Sequence, residues 1–183
     1  MNEEEYKRRY TFGVDYGTSD FKYGPITCGE TPEITENRGY FPDTESLMYR
    51  IIDIPKEVVV GKDIPLYLGS IEDQATRLIY PMKNGIIKKE AEQAWKVIYE
   101  ITKYGLSSFK PPEKDFDGFY VVASLSSVAP RYMYEKLFEI YRRIDEEERL
   151  VKAVTIIPQP LSLIHISEPT RPLYISYAVF CLK

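Results

Sequence analysis

The hydrophobic period of this chain changes once, near Lys88, and that change limits the folds open to it. Before it, apolar residues come in short runs rich in β-branched and aromatic members, separated by Gly and Pro. YTFGVDY (10–16), bounded by Gly17, reads as a buried strand, and FKYGPIT (21–27) reads as the returning arm of a hairpin. LMYRIID (47–53) and EVVVG (57–61) are expected to be further strands among Pro42, Pro55 and Pro65. After it, Ala91, Ala94, Trp95, Ile98, Ile101 and Thr102 share one face of a helix expected to run to about Tyr104, where Gly105 can stop it. FKPPEKDFDG (109–118) reads as a loop and FYVVAS (119–124) as a strand. Pro130 suits the first turn of a second helix, with Met133, Leu137, Ile140, Tyr141 and Ile144 on its apolar face. DEEER (145–149) reads as a solvated link and KAVTIIP (152–158) as the last strand. Strands that alternate with helices predict a mixed α/β sheet with parallel members, flanked by helices.

The first turn of this pattern carries the chemistry. VDYGTSDFKYG (14–24) packs an acid, hydroxyls, glycines and a lysine around a tight turn. Gly17, Thr18 and Ser19 at its tip can point backbone N–H groups at an anion, with the hydroxyls as further donors. Lys22 adds a point charge suited to phosphate oxygens. Asp15 would repel phosphate unless a divalent cation stood between them, and Mg²⁺ is commonly held through its own waters by a carboxylate. The stretch is not a P-loop, because GxxxxGK[ST] is absent and no helix follows directly. An ordinary hairpin with a polar turn and an exposed lysine has the same parts.

Residues 161–183 are expected to be foreign to the gene. LSLIHISEPTR reads as the in-frame translation of a transposase end and sequencing adapter, and ISYAVFCL as the adapter beyond a short sample index. The natural sequence is then expected to be cut at about Pro160. The only histidine, His165, and Cys181 fall in this tail, so no site is built on them. Without Glu168, Arg171 and Lys183 the formal charge moves from −4 to −5. With the tail set aside, the remaining cysteine, Cys28, has no disulfide partner within residues 1–160, which suits a reducing compartment.

A mildly acidic chain without a basic stripe argues against nucleic acid as the main partner. No segment reaches the roughly 18 apolar residues of a membrane helix, and MNEEEYKRRY is too charged for a signal peptide. A cytoplasmic location is expected.

Taken together, these segments resemble the actin, heat-shock-70 and sugar-kinase superfamily. VDYGTSDFKYG is similar to its first phosphate hairpin, with Asp15, Gly17, Thr18, Lys22 and Gly24 at actin spacing. RGYFPD (38–43), VVVGKDI (58–64), RLIYPMKNGIIKKEAEQAWKVIYEI (77–101), FYVVASLSSVAPRYMYEKLFEIY (119–141) and KAVTIIPQP (152–160) resemble successive actin segments in the family's order. The wording is most similar to the archaeal actins, the crenactins.

The resemblance implies the N-terminal half of a ribonuclease-H-like actin ATPase fold. Residues 1–42 and 78–160 would form the ATPase subdomain, and 43–77 a small β-rich insertion. It implies ATP and Mg²⁺ as cofactors in the parent protein, with Asp15, Gly17, Thr18, Ser19 and Lys22 toward the metal-bound phosphate. Asp15 would hold the Mg²⁺ through water. Gln159 matches the glutamine that helps position the attacking water, although Pro160 departs from the usual actin residue. A second phosphate hairpin and an adenosine motif would lie beyond residue 160. The implied function is a slow, filament-forming cytoskeletal ATPase that self-associates, with this piece inactive alone. A small-molecule kinase of the superfamily would need a catalytic Asp near position 159, where none stands. A non-polymerising actin-related subunit stays open.

Overall fold

A computed structural model describes residues 2–26, 31–42, 57–68 and 71–159. The expected strand 47–53, Cys28 and the whole tail with His165 and Cys181 lie outside the described residues.

The chain opens with helix α1, Glu3–Arg9, which the sequence pattern did not indicate. Asn2 caps it reciprocally with Glu5, acids fill its first turn and bases its last, so its charges follow the helix dipole. Strands β1, Thr11–Tyr16, and β2, Asp20–Pro25, form the expected hairpin. Then come β3, Glu33–Glu36; β4, Gly39–Tyr40; and β5, Val59–Val60. Of the expected strand 57–61, only its centre is extended, because Gly61–Asp63 turns into a 3₁₀ segment. Helices α2, Ile64–Tyr67, and α3, Ile71–Arg77, lead into β6, Leu78–Ile79. The second part is α4, Glu92–Ser108; β7, Phe119–Leu125; α5, Arg131–Glu148; and β8, Val151–Pro158.

Five strands form one mixed sheet in the order β3-β2-β1-β7-β8, with β1, β7 and β8 mutually parallel. A smaller antiparallel sheet has the order β5-β4-β6. On the helix-covered face of the large sheet, alternate residues Phe12, Val14 and Tyr16 bury with Phe21, Tyr23, Val121 and Ala123, along with Trp95, Ile98 and Ile101 of α4 and Met133, Leu137 and Tyr141 of α5. Burying each Val, Ile, Leu, Phe or Met side chain among these contributes about 1.5–3 kcal/mol.

Two boundary expectations fail for packing reasons. Gly105 does not stop α4; it is buried inside the helix, where a Cβ would approach the Phe21 and Tyr23 rings at 3.1 Å. A glycine kept for close approach looks, in sequence, like a helix stop. DEEER is not a link up to Glu148: it continues α5, because Arg142 and Arg143 pair with Glu146 and Glu147 one turn on. Only Arg149, in the left-handed conformation with φ 53°, ends the helix.

Candidate functional site

The carboxyl ends of β1, β7 and β8 lie side by side, and in open α/β sheets that edge is where ligands bind. Asp15 is paired in register with Lys22 on β2 and with Ser124 on β7. Side chains of directly opposed residues share a sheet face, so all three point away from the helices that cover Val14 and Tyr16. Ser124 donates its Oγ hydrogen to Asp15 Oδ1. Gln159, the first residue past β8, donates from Nε2 to the same oxygen at 2.5 Å. The Gln159 backbone N–H is tied to the Leu125 carbonyl at 2.5 Å, which fixes the side chain's origin.

This contact settles the orientation of the Gln159 amide. A carboxylate can only accept, so Nε2 must face Asp15 and Oε1 is left as an acceptor for another donor such as water. Two donors on one oxygen also hold Asp15 in place. Its neighbour Tyr16 is anchored underneath, bonded at 2.8 Å to both Thr102 of α4 and Tyr141 of α5. Burial pushes the Tyr16 and Tyr141 phenols up, so both stay protonated and serve as hydrogen-bonded struts.

The turn between β1 and β2 is exposed at Thr18 and Ser19. Its tightness comes from Gly17, where a Cβ would lie 2.7 Å from the Asp20 carbonyl oxygen; the Gly17 N–H donates to that oxygen at 3.0 Å. Thr18 Oγ1 accepts from the Gly85 N–H at 3.0 Å, which leaves its own hydroxyl hydrogen free to donate. Gly85 belongs to a turn closed by mutual Lys83–Ile86 backbone bonds. The predicted residues thus fall in two groups: Asp15, Lys22 and Gln159 at the strand ends, and Gly17, Thr18 and Ser19 on the adjoining turn.

Three residues around this edge were not singled out in sequence. Ser124 was visible only as a hydroxyl at the end of an apolar run. Gly85 stood in an Asn-Gly pair, a turn signal without a stated target. Asn37, which bonds to the turn, gave no signal at all. The donor set suits a hydrated divalent cation bridging to phosphate: one carboxylate, hydroxyls and backbone N–H groups, all hard ligands or donors. Among the described residues, no three His, Cys, Asp or Glu side chains gather as a metal cage.

No protein-family model matches the chain. Solved structures do. A non-polymerising mutant of MamK bound to AMPPNP superposes with a TM-score of 0.60 at 16% identity, over 86% of this chain and 43% of that one. The MamK double helical filament gives 0.60 at 15% identity, over 85% of this chain and 42% of that one. At such identity the likeness concerns the fold: the mixed sheet flanked by helices is the N-terminal half of the actin-like ATPase architecture. The chain spans less than half the length of the MamK chains it matches. Among the described residues, no helix is long and apolar enough to cross a membrane.

Proposed function

We propose that the chain is the N-terminal part of an actin-like, nucleotide-dependent, filament-forming cytoskeletal ATPase of the cytoplasm, whose wording places it near the archaeal actins. The observation that carries this reading is the meeting of Asp15 and Gln159, 144 residues apart in sequence, beside a hydroxyl-rich turn. An acid beside a water-orienting amide, next to phosphate donors, is what slow nucleotide hydrolysis requires. That one MamK structure holds AMPPNP and another is a filament supports the same direction.

In this reading, Lys22, the Thr18 hydroxyl and the turn's N–H groups hold phosphate oxygens. Asp15 would hold Mg²⁺ through water, and the ion would supply neutralisation of the phosphate charge. Gln159 Oε1 accepts from a water and orients it; an amide is a poor base, so hydrolysis is slow. Residues 43–77 would form the insertion that supplies a filament contact, and residues 161–183 would be translated adapter. The second wall of a nucleotide cleft would then lie beyond residue 160 in the parent frame.

The 183-residue chain is accordingly expected to bind ATP only weakly and not to turn it over. Stoichiometric micromolar binding by calorimetry would overturn that. Resequencing the source DNA through codon 160 without a transposase library should reveal a continuing frame. The protein encoded by that frame should pellet with ATP and Mg²⁺. Failure to pellet while binding nucleotide would favour a non-polymerising actin-related subunit.

A further inference from the structure

Asn37 follows β3 and is fully buried, next to a turn it does not belong to. Its Nδ2 donates to the Gly17 carbonyl at 2.7 Å, and its backbone N–H donates to the Ser19 carbonyl at 2.8 Å. One residue therefore holds two carbonyls of the turn. In a trans peptide the C=O and the following N–H point in opposite directions. Drawing the Gly17 and Ser19 carbonyls toward Asn37 turns the Thr18 and Asp20 N–H groups the other way. Backbone N–H groups presented together form an anion-binding concavity.

A second observation separates this from ordinary packing. Asn37 Oδ1 is buried and has no hydrogen-bond partner among the described residues. An orphaned buried acceptor is destabilising by about as much as one good hydrogen bond stabilises. The side chain as a whole thus adds little to stability, and its remaining effect is on the shape of the turn.

We propose that Asn37 is a positioning residue that presets the Thr18 and Asp20 amides toward a polyphosphate oxygen before the ligand arrives. This rests on the phosphate reading of the hairpin. With the peptides already turned, binding does not have to order them, and pre-organisation of this kind appears as affinity.

The test is a titration of Mg²⁺·AMPPNP into the ¹⁵N-labelled 183-residue chain, followed by amide shifts. In the wild type the Thr18, Ser19 and Asp20 signals should move, with a Kd on the order of millimolar. In N37A that affinity should fall about tenfold, the effect of losing one well-aligned hydrogen bond. Its melting temperature and the signals of Tyr16 and Tyr141 should stay put. N37D adds a pH profile: its neutral carboxyl can donate to the Gly17 carbonyl, whereas its carboxylate cannot donate and repels the anion. The gap between N37D and wild type should therefore narrow as pH falls through the carboxyl's titration. If both variants bind like wild type, the role of Asn37 is overturned and the phosphate reading stands. If the wild-type hairpin signals do not move at saturating ligand, the phosphate reading itself falls. If neither variant folds, Asn37 is a folding residue and the inference is wrong.

Discussion

The two ends of the five-stranded sheet are built from different materials. At the end where β1, β7 and β8 begin, aromatic rings close the core. Tyr6 and Tyr10 stand 4.5 Å apart, Phe116 and Phe119 4.8 Å, and Phe12 and Phe119 4.9 Å. Helix α1 is pinned there, with Tyr6 donating to the Gly118 carbonyl and accepting from the Asp117 N–H. At the other end the same three strands finish in Asp15, Ser124 and Gln159, bonded to one another in a half-open polar edge. If the first end supplies stability and the second holds the proposed chemistry, substitutions at the two ends should separate folding from binding.

The largest expected effect tests the sealed end. Phe12 has no exposure and touches Phe109 and Phe119, so Phe12→Ala removes a buried ring and leaves a cavity. A loss of about 3–5 kcal/mol is expected in a urea melt. A loss below about 1 kcal/mol would mean that this end is not where the fold is held.

The opposite pattern is expected at Asp15. Asp15→Asn keeps an oxygen that Ser124 and Gln159 can reach, so stability should change by less than about 1 kcal/mol. Removing the charge should nevertheless abolish the Mg²⁺-dependent shifts of the hairpin amides. A variant that melts like wild type and still shows those shifts would detach Asp15 from the metal.

Tyr6 and Tyr10 sharpen the comparison within the sealed end. Burial raises both phenols, but their hydroxyls differ. The Tyr6 hydroxyl makes two bonds, whereas that of Tyr10 is buried without a partner among the described residues. Tyr6→Phe should therefore cost about 1 kcal/mol, and Tyr10→Phe should be neutral or slightly stabilising. Equal losses in thermal melts would contradict that assignment.

How much of this was legible in sequence follows from the range of the interactions. The helix faces and strand alternation come from local periodicity, and Phe12, Val14, Ile98, Leu137 and Tyr141 are buried as that periodicity requires. Gly105 and DEEER misled because their behaviour depends on neighbours: rings on β2 for the glycine, and arginines one turn earlier for the acids. Helix α1 was hidden because its seven residues are almost all charged and only Tyr6 is buried. At the site, Asp15 and Lys22 were visible as a local hairpin. Ser124 and Asn37 reach it only through strand register, 109 and 20 residues away from the atoms they bond. No local pattern can announce such a meeting.

The smallest expected effect is electrostatic and lies where α5 ends, before β8 begins. Glu147 accepts from Tyr99, pairs with Arg143 at 2.8 Å and with Lys103 at 3.2 Å. The Tyr99 hydrogen bond first, then Arg143 and Lys103, hold its carboxyl down at about 2, against an ordinary 4.5. A carboxyl lowered in the folded state stabilises above its unfolded value. That contribution is lost as pH falls from about 4.5 toward 2. Glu147 is more than a third exposed, so solvent screening keeps the contribution below about 1 kcal/mol. Glu147→Gln should therefore lower stability slightly at pH 7, by an amount that shrinks in high salt. It should also remove that part of the acid-induced loss, bringing the two chains together near pH 2. If the gap between variant and wild type instead stayed constant from pH 7 to pH 2, the charge would not be what joins α4 to α5. The contact would then rest on the Tyr99 ring and the Arg143 guanidinium stacked 4.4 Å above it.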